Sequence, residues 1–90
     1  MNWCVYIILC SDNSLYTGIT TAVSRRFEQH QQQKGAKYFR GRQPKTLLYV
    51  ESGHNRSTAS KREIAIKSLS REQKWLLIAS EANGLRHSHV

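Results

Sequence analysis

The sequence predicts an α+β domain with one sheet and three helices in the order ββαβαα. Three observations carry this expectation. An apolar run from Trp3 to Cys10 is followed by four turn formers and a second strand-like stretch. A helical apolar spacing begins just after Thr20. Two further capped helical stretches then follow a third strand. Ninety residues leave room for one hydrophobic core and not for two.

Trp3-Cys4-Val5-Tyr6-Ile7-Ile8-Leu9-Cys10 is apolar on both alternating faces and rich in β-branched and aromatic residues, which places it at the centre of the sheet. Ser11-Asp12-Asn13-Ser14 turns the chain, and Leu15 to Thr20 returns as the second arm of a hairpin. Gly18 interrupts that arm, which implies either a bulge or a close approach by a ligand or neighbouring backbone. Thr20 or Thr21 can cap a helix running to about Gln32, with Val23 and Phe27 as its i,i+4 apolar pair. From Gln33 to Gln43 the periodicity is lost, and Lys34, Lys37, Arg40 and Arg42 alternate with Gly35, Tyr38, Phe39 and Gly41, the pattern of a mobile basic loop. Thr46 to Glu51 restores strand character. Asn55 or Ser57 can then cap a helix through Ala59, Glu63, Ile66 and Leu69. Ser70-Arg71-Glu72-Gln73 is a capping box for a last helix through Ala82, stopped by Gly84. The domain is thus expected over residues 1–84, with 85–90 as a flexible tail.

Fourteen Lys and Arg against six Asp and Glu give a formal charge of +8, which favours an anionic partner. The longest apolar run, Val5 to Leu9, is far too short to cross a membrane, and no charged-then-apolar leader opens the chain. Cys4 and Cys10 would lie about 20 Å apart on one strand at roughly 3.3 Å per residue, too far to pair. Two unpaired thiols fit a reducing compartment, so a cytoplasmic location is expected, with association with the nucleoid compatible with the charge.

Four features bear on chemistry. Tyr6 and Tyr16 occupy the two arms of one hairpin, and they share a face only if the connecting loop has odd effective length. Packing alone also accounts for such a pair. Arg26 and His30 stand one helical turn apart, offering a phosphate-binding fork beside a group that relays protons near neutral pH; a solvated helix face is the plainer alternative. Glu63 borders an apolar stripe, where an ion pair with Arg56, Arg62 or Lys67 is the plainer alternative. Lastly, seven basic residues fall between Arg25 and Lys45 against one acidic residue, Glu28. With the aromatic Tyr38 and Phe39 among them, Arg25, Lys34, Lys37, Arg40 and Arg42 form a candidate nucleic-acid surface. No Walker loop, zinc-ligand spacing, nucleophile elbow or dinucleotide fingerprint is present.

Val5-Tyr6-Ile7, then Tyr16-Thr17-Gly18, then Arg26, His30 and Glu63, resemble the GIY-YIG nuclease superfamily across nearly the whole chain. Ser14 to Thr20, Gly35-Ala36-Lys37-Tyr38 and Leu69-Ser70-Arg71 are similar to its small bacterial single-domain group. The resemblance implies a three-stranded antiparallel sheet flanked by three helices. It also implies roles: Tyr6 and Tyr16 line the site with Gly18 beside them, Arg26 holds the scissile phosphate, and His30 assists proton transfer. Glu63 binds one Mg²⁺ or Mn²⁺, and Tyr6 activates the attacking water. Cys4-Val5 stand where the first motif usually has Gly-Ile, and Thr17 replaces an Ile of the second. The Asn that many relatives carry about a dozen residues after the metal Glu is absent from Gln73 to Leu76, Asn83 lying farther on. The leading expectation is a metal-dependent DNA endonuclease or nuclease-like repair factor, selective for structure more than sequence, with RNA as another possible substrate and a protein partner supplying targeting. The alternatives are a non-catalytic nucleic-acid-binding module on the same fold and a basic protein-interaction domain.

Overall fold

In the computed structural model, β1 (Trp3–Cys10) is the middle strand of a three-stranded antiparallel sheet, between β2 (Leu15–Thr20) and β3 (Pro44–His54). The structure describes residues 2–32, 37–39 and 41–87. The central position follows from composition, since Val5, Tyr6, Ile7, Ile8 and Cys10 are all buried although successive side chains point to opposite faces. On one face Val5 and Ile7 join Tyr49, Ala59 and Ile66, beneath α2 (Arg56–Lys67) and α3 (Arg71–Ile78). On the other, Tyr6, Ile8 and Cys10 meet Phe39, with Tyr16, Val23, Phe27 and Val50 packed around them. That second face is covered by α1 (Val23–Gln31) and a 3-10 turn, Lys37–Phe39. Each fully buried isoleucine in these cores contributes about 1.5–3 kcal/mol.

The hairpin settles which face the tyrosines share. Cys10 N donates to Ser14 O at 2.9 Å and Asn13 N to Cys10 O at 2.9 Å, leaving Ser11-Asp12-Asn13 as a three-residue loop. Asn13 adopts φ 68°, the left-handed conformation such loops require at their last position. The Asp12 carboxylate fixes the turn by accepting from Ser14 N at 3.1 Å, Ser14 Oγ at 2.6 Å and Arg42 Nε at 2.7 Å. An odd loop pairs residues of equal parity. Tyr6 therefore lies opposite Gly18, Ile8 lies opposite Tyr16, and both phenols rise from one face.

Gly18 is not a bulge, because the β1–β2 register runs unbroken through it. A Cβ there would stand 2.5 Å from Tyr6 Oη and 2.7 Å from Tyr6 Cζ. The close approach is made by the side chain across the ladder, and neither a ligand nor a backbone accounts for the glycine.

The helix starts differ in kind. Asn55 with Thr58, and Ser70 with Gln73, form the capping boxes of α2 and α3. α1 instead follows Ala22 without a side-chain cap, and Thr20 Oγ1 accepts from Ala22 N at 3.1 Å to hold the turn before it. α3 ends at Ile78, short of Ala82, where Ser80 Oγ donates to Leu77 O at 2.6 Å and turns the chain away.

Beyond that turn Asn83, 3% exposed, clamps the chain onto β3. The β1–β3 register shifts between Ile7↔Tyr49 and Ile8↔Leu47, leaving Leu48 as an extra residue. Asn83 Nδ2 donates to Leu48 O and to Ile78 O, both at 2.8 Å, while Oδ1 accepts from Val50 N at 3.3 Å and Leu85 N at 3.1 Å. Gly84 follows because a Cβ there would meet Val50 O at 2.9 Å, and residues Gly84–His87 form a 3-10 turn against β3. Cys4 and Cys10 are free thiols buried in β1, and burial raises the pKa of both. Among the described residues no helix is long and apolar enough to cross a membrane.

Asn83→Ala should cost about 1–3 kcal/mol in urea unfolding, since it strands a half-buried carbonyl and a half-buried N–H on β3. A loss below about 0.5 kcal/mol would show that the clamp is dispensable.

Candidate active site on the hairpin face

Tyr6 from β1, Tyr16 from β2 and His30 from α1 converge above Gly18. Val23, Phe27 and His30 recur at i, i+4 and i+7, so they form the inward ridge of α1. His30 ends that ridge and is fully buried, the opposite of a solvated helix face. Its Nε2 lies 2.8 Å from Tyr6 Oη, and its ring centroid stands 4.3 Å from Phe39 and 5.3 Å from Tyr16. Tyr16 packs 4.8 Å from Phe39 and 5.1 Å from Tyr38.

Burial, and secondly the positive charge of Arg26, push the His30 pKa down to about 4. The imidazole is therefore neutral at pH 7. Tyr6 shifts the other way, raised chiefly by burial and then by Tyr16, with Arg26 opposing in part. The phenol thus keeps its proton, and it shares a hydrogen bond with Nε2 of the neutral imidazole. Among the described residues His30 Nδ1 has no hydrogen-bond partner, so within them this imidazole is held by one polar contact and by ring packing. Burial also raises Tyr16, with Arg26 lowering it and Glu63 adding to the rise. One guanidinium is thus in electrostatic reach of all three rings, and it favours negative charge among them. Arg26 Nη1 itself donates to Gln29 Oε1 at 3.2 Å.

Glu63 approaches from α2, near enough to Tyr16 for its charge to be felt there. Its carboxylate is 22% exposed and pairs with Lys67 Nζ at 3.4 Å. Among the described residues no three His, Cys, Asp or Glu side chains gather into a closed metal cage. A single, partly exposed carboxylate whose charge reaches the same Tyr16 hydroxyl as Arg26 fits Mg²⁺ or Mn²⁺, because such ions keep several waters and need few protein oxygens.

The basic surface is divided. Arg25 and Arg26 wall a cleft of about 320 Å³ at the exit of β2. Arg42 is committed elsewhere: besides Asp12, it donates to Tyr38 O at 3.1 Å and covers the Tyr38 ring at 4.1 Å. It holds the segment after α1 against the hairpin turn. Tyr38 is half-buried, and Phe39 is a core residue, since the aromatic cluster over Tyr16 and His30 claims both rings. Lys34, Arg40 and the side chain of Lys37 lie outside the described residues.

Sequence patterning missed a second polar cluster, on the α2 face. Glu51 accepts from Tyr49 Oη at 2.5 Å, from Arg62 Nε at 3.1 and 3.0 Å, and pairs with His54 Nε2 at 2.6 Å. Burial alone would raise the Glu51 pKa, but these partners outweigh it and hold the carboxyl below its usual value. Arg62, the alternative partner for Glu63, is thereby tied to β3. This fixes α2, and with it the position of the next residue, Glu63. The i,i+3 spacing of Glu51 and His54 was the one local signal for the cluster.

A model of the GIY-YIG catalytic domain matches residues 2–75. The UPF0213 protein DP2720 of Desulfotalea psychrophila is 49% identical over 91% of this chain and 76% of its own length. A UPF0213 protein of Halobacterium salinarum is 54% identical over 81% of this chain and 95% of its own. The solution NMR structure of the UPF0213 protein BH0048 from Bacillus halodurans is 39% identical and superposes with a TM-score of 0.59, covering 99% of this chain and 95% of that one.

The His30 imidazole should stay neutral down to about pH 5 and protonate near 4, read from ¹⁵N shifts of the ring in the folded protein. A midpoint near the ordinary 6.5 would contradict the buried pair. Because the folded pKa lies below the unfolded one, the stability His30 confers is present above about pH 6.5 and is lost as pH falls toward 4.

Proposed function

From the premise that the chain belongs to the GIY-YIG nuclease family, we propose that it is a metal-dependent DNA endonuclease selecting structure over sequence. The observation that carries this reading is the buried Tyr6–His30 hydrogen bond, which lies beneath Tyr16 and within electrostatic reach of Arg26. Nothing in core packing demands a phenol and a histidine in contact at that depth. Hydrolysis of a phosphodiester does need an acceptor for the proton of the attacking water.

In this reading the Arg26 guanidinium takes two oxygens of the scissile phosphate, as its planar fork suits. Tyr6 is 1% exposed, so it works from the floor of the site, whereas the half-buried Tyr16 meets solvent and orients the water. The water gives a proton to Tyr6 Oη as the Tyr6 proton passes to His30 Nε2, and the oxygen so freed attacks phosphorus. The scissile P–O bond breaks to leave one alkoxide oxygen. Phosphate seated on Arg26 offsets the second of the two causes that depress His30, and so makes the imidazole a better acceptor at the moment it is needed. Glu63 would hold the Mg²⁺ or Mn²⁺, which when bound supplies charge stabilisation to the leaving oxygen. Preference for structure follows from the small basic face, which contacts phosphates far more than base edges.

The test is a time course on branched, nicked, single-stranded and duplex DNA with Mg²⁺, Mn²⁺ or EDTA, for the native protein and for Glu63→Gln. Cleavage should require metal and fall by at least ~10²-fold in the variant, since lost stabilisation of several kcal/mol is tenfold per 1.4 kcal/mol. DNA affinity without metal should hold or rise, because a negative charge beside phosphate is removed. Wild-type cleavage by Glu63→Gln across a metal titration would dismiss the mechanism. Binding without cleavage in any metal would mark a nucleic-acid-binding module, and failure to bind any polyanion would mark a protein-interaction domain.

A further inference from the structure

The cleft beside Arg26 is built of chemistry that the proposed cleavage does not use. Trp3 and Ile19 form its apolar side, Thr20 stands at its edge, and Arg25, Arg26 and Gln29 of α1 form the other wall. The Trp3 indole is only partly buried. The Arg56 guanidinium lies 5.7 Å from its ring centroid and is not among the residues lining the cleft. The wall thus offers an aromatic surface, hydroxyl and amide groups able to meet a ring edge, and two cations, with no carboxylate lining it. An anionic ligand with a flat ring fits each of these features.

Continuity with the active site identifies the ligand further. Arg26 lines the cleft and its charge is felt at the Tyr6 hydroxyl, so cleft and site meet at this residue. Resting on the reading of Arg26 as the phosphate holder, we infer that the cleft seats the nucleobase next to the scissile phosphate, with Arg25 on the neighbouring phosphate. At about 320 Å³ the cleft lies at the low end of small-molecule sites and has room for one base laid against Trp3. A base inside a duplex is stacked and paired and must be extruded before it can enter. The substrate is therefore a DNA strand whose nucleotide beside the cleaved bond is unpaired, and structure selectivity becomes a local property of one nucleotide.

Binding alone tests this, in metal-free buffer with Glu63→Gln to prevent cleavage and Trp75→Phe so that Trp3 is the sole tryptophan. A single-stranded oligonucleotide, or a flap with one unpaired base, should quench Trp3 emission in step with binding measured independently by anisotropy. Fully paired duplex should bind without quenching. Scanning one abasic site along the oligonucleotide should find a position where quenching is lost and affinity drops about tenfold, as expected for a missing base-on-aromatic stack. The abasic scan changes the DNA and leaves the protein intact, so it stands even if Trp3→Ala fails to fold. Saturating single-stranded binding with unchanged Trp3 emission, or an abasic scan flat at every position, overturns the cleft assignment and leaves the nuclease reading standing. Quenching by a strand that the native protein never cleaves sinks the nuclease reading and leaves the cleft.

Discussion

The register that sets Tyr6 opposite Gly18 is the constraint on which the site rests. It originates in a three-residue turn with Asn13 in the left-handed region, and it fixes which residues of β1 and β2 point to the same side. With a bare glycine across the ladder, the Tyr6 ring can lie flat over β2, its hydroxyl directed to where α1 passes. Any side chain at position 18 would occupy that hydroxyl's position. The burial of His30, the stacking of Phe39 and the placement of Arg26 all presuppose a phenol lying in that place.

The sheet divides labour between its faces. Under α2 and α3 the core is mostly aliphatic, and its polar members, Glu51, Arg62 and His54, satisfy one another. Over the other face the interior is aromatic, and it holds a titratable pair with an imidazole nitrogen unpartnered among the described residues. Such an arrangement is poor for stability, because a buried polar atom without a partner costs about 1–3 kcal/mol. It suits a group that must change its protonation state without water competing for it.

The parts of this molecule that depend on neighbours in the chain were legible from sequence. β1 is central because eight apolar residues have no polar face, and the Ser70–Gln73 capping box is written in a four-residue window, whereas the sequence allows either Asn55 or Ser57 to cap α2. The hairpin's parity could be stated as a condition, though not decided, because loop length and register are set together. The partners of residues that pair at long range were not legible. His30 reads as a ridge residue beside Val23 and Phe27, but the phenol it meets, Tyr6, stands 24 positions earlier. Arg42 reads as one charge of a basic surface, and its ion pair with Asp12, 30 positions away, leaves no local signal. Asn83 reads as a loop residue, since Leu48, whose carbonyl it satisfies, lies 35 positions back and is exposed only by a bulge.

The two thiols of β1 give the domain an internal clock. Cys4 and Cys10 sit near opposite ends of the one strand laddered on both sides, and each is buried with its pKa raised, so neither offers a thiolate to a reagent in the closed state. Alkylation of Cys10, the more deeply enclosed, has to wait for the hairpin end of β1 to open, and its labelling rate reports the population so opened. Cys4, at the end nearer the amino terminus, also registers partial opening there. The difference between the two rates measures how far the sheet frays before it gives way.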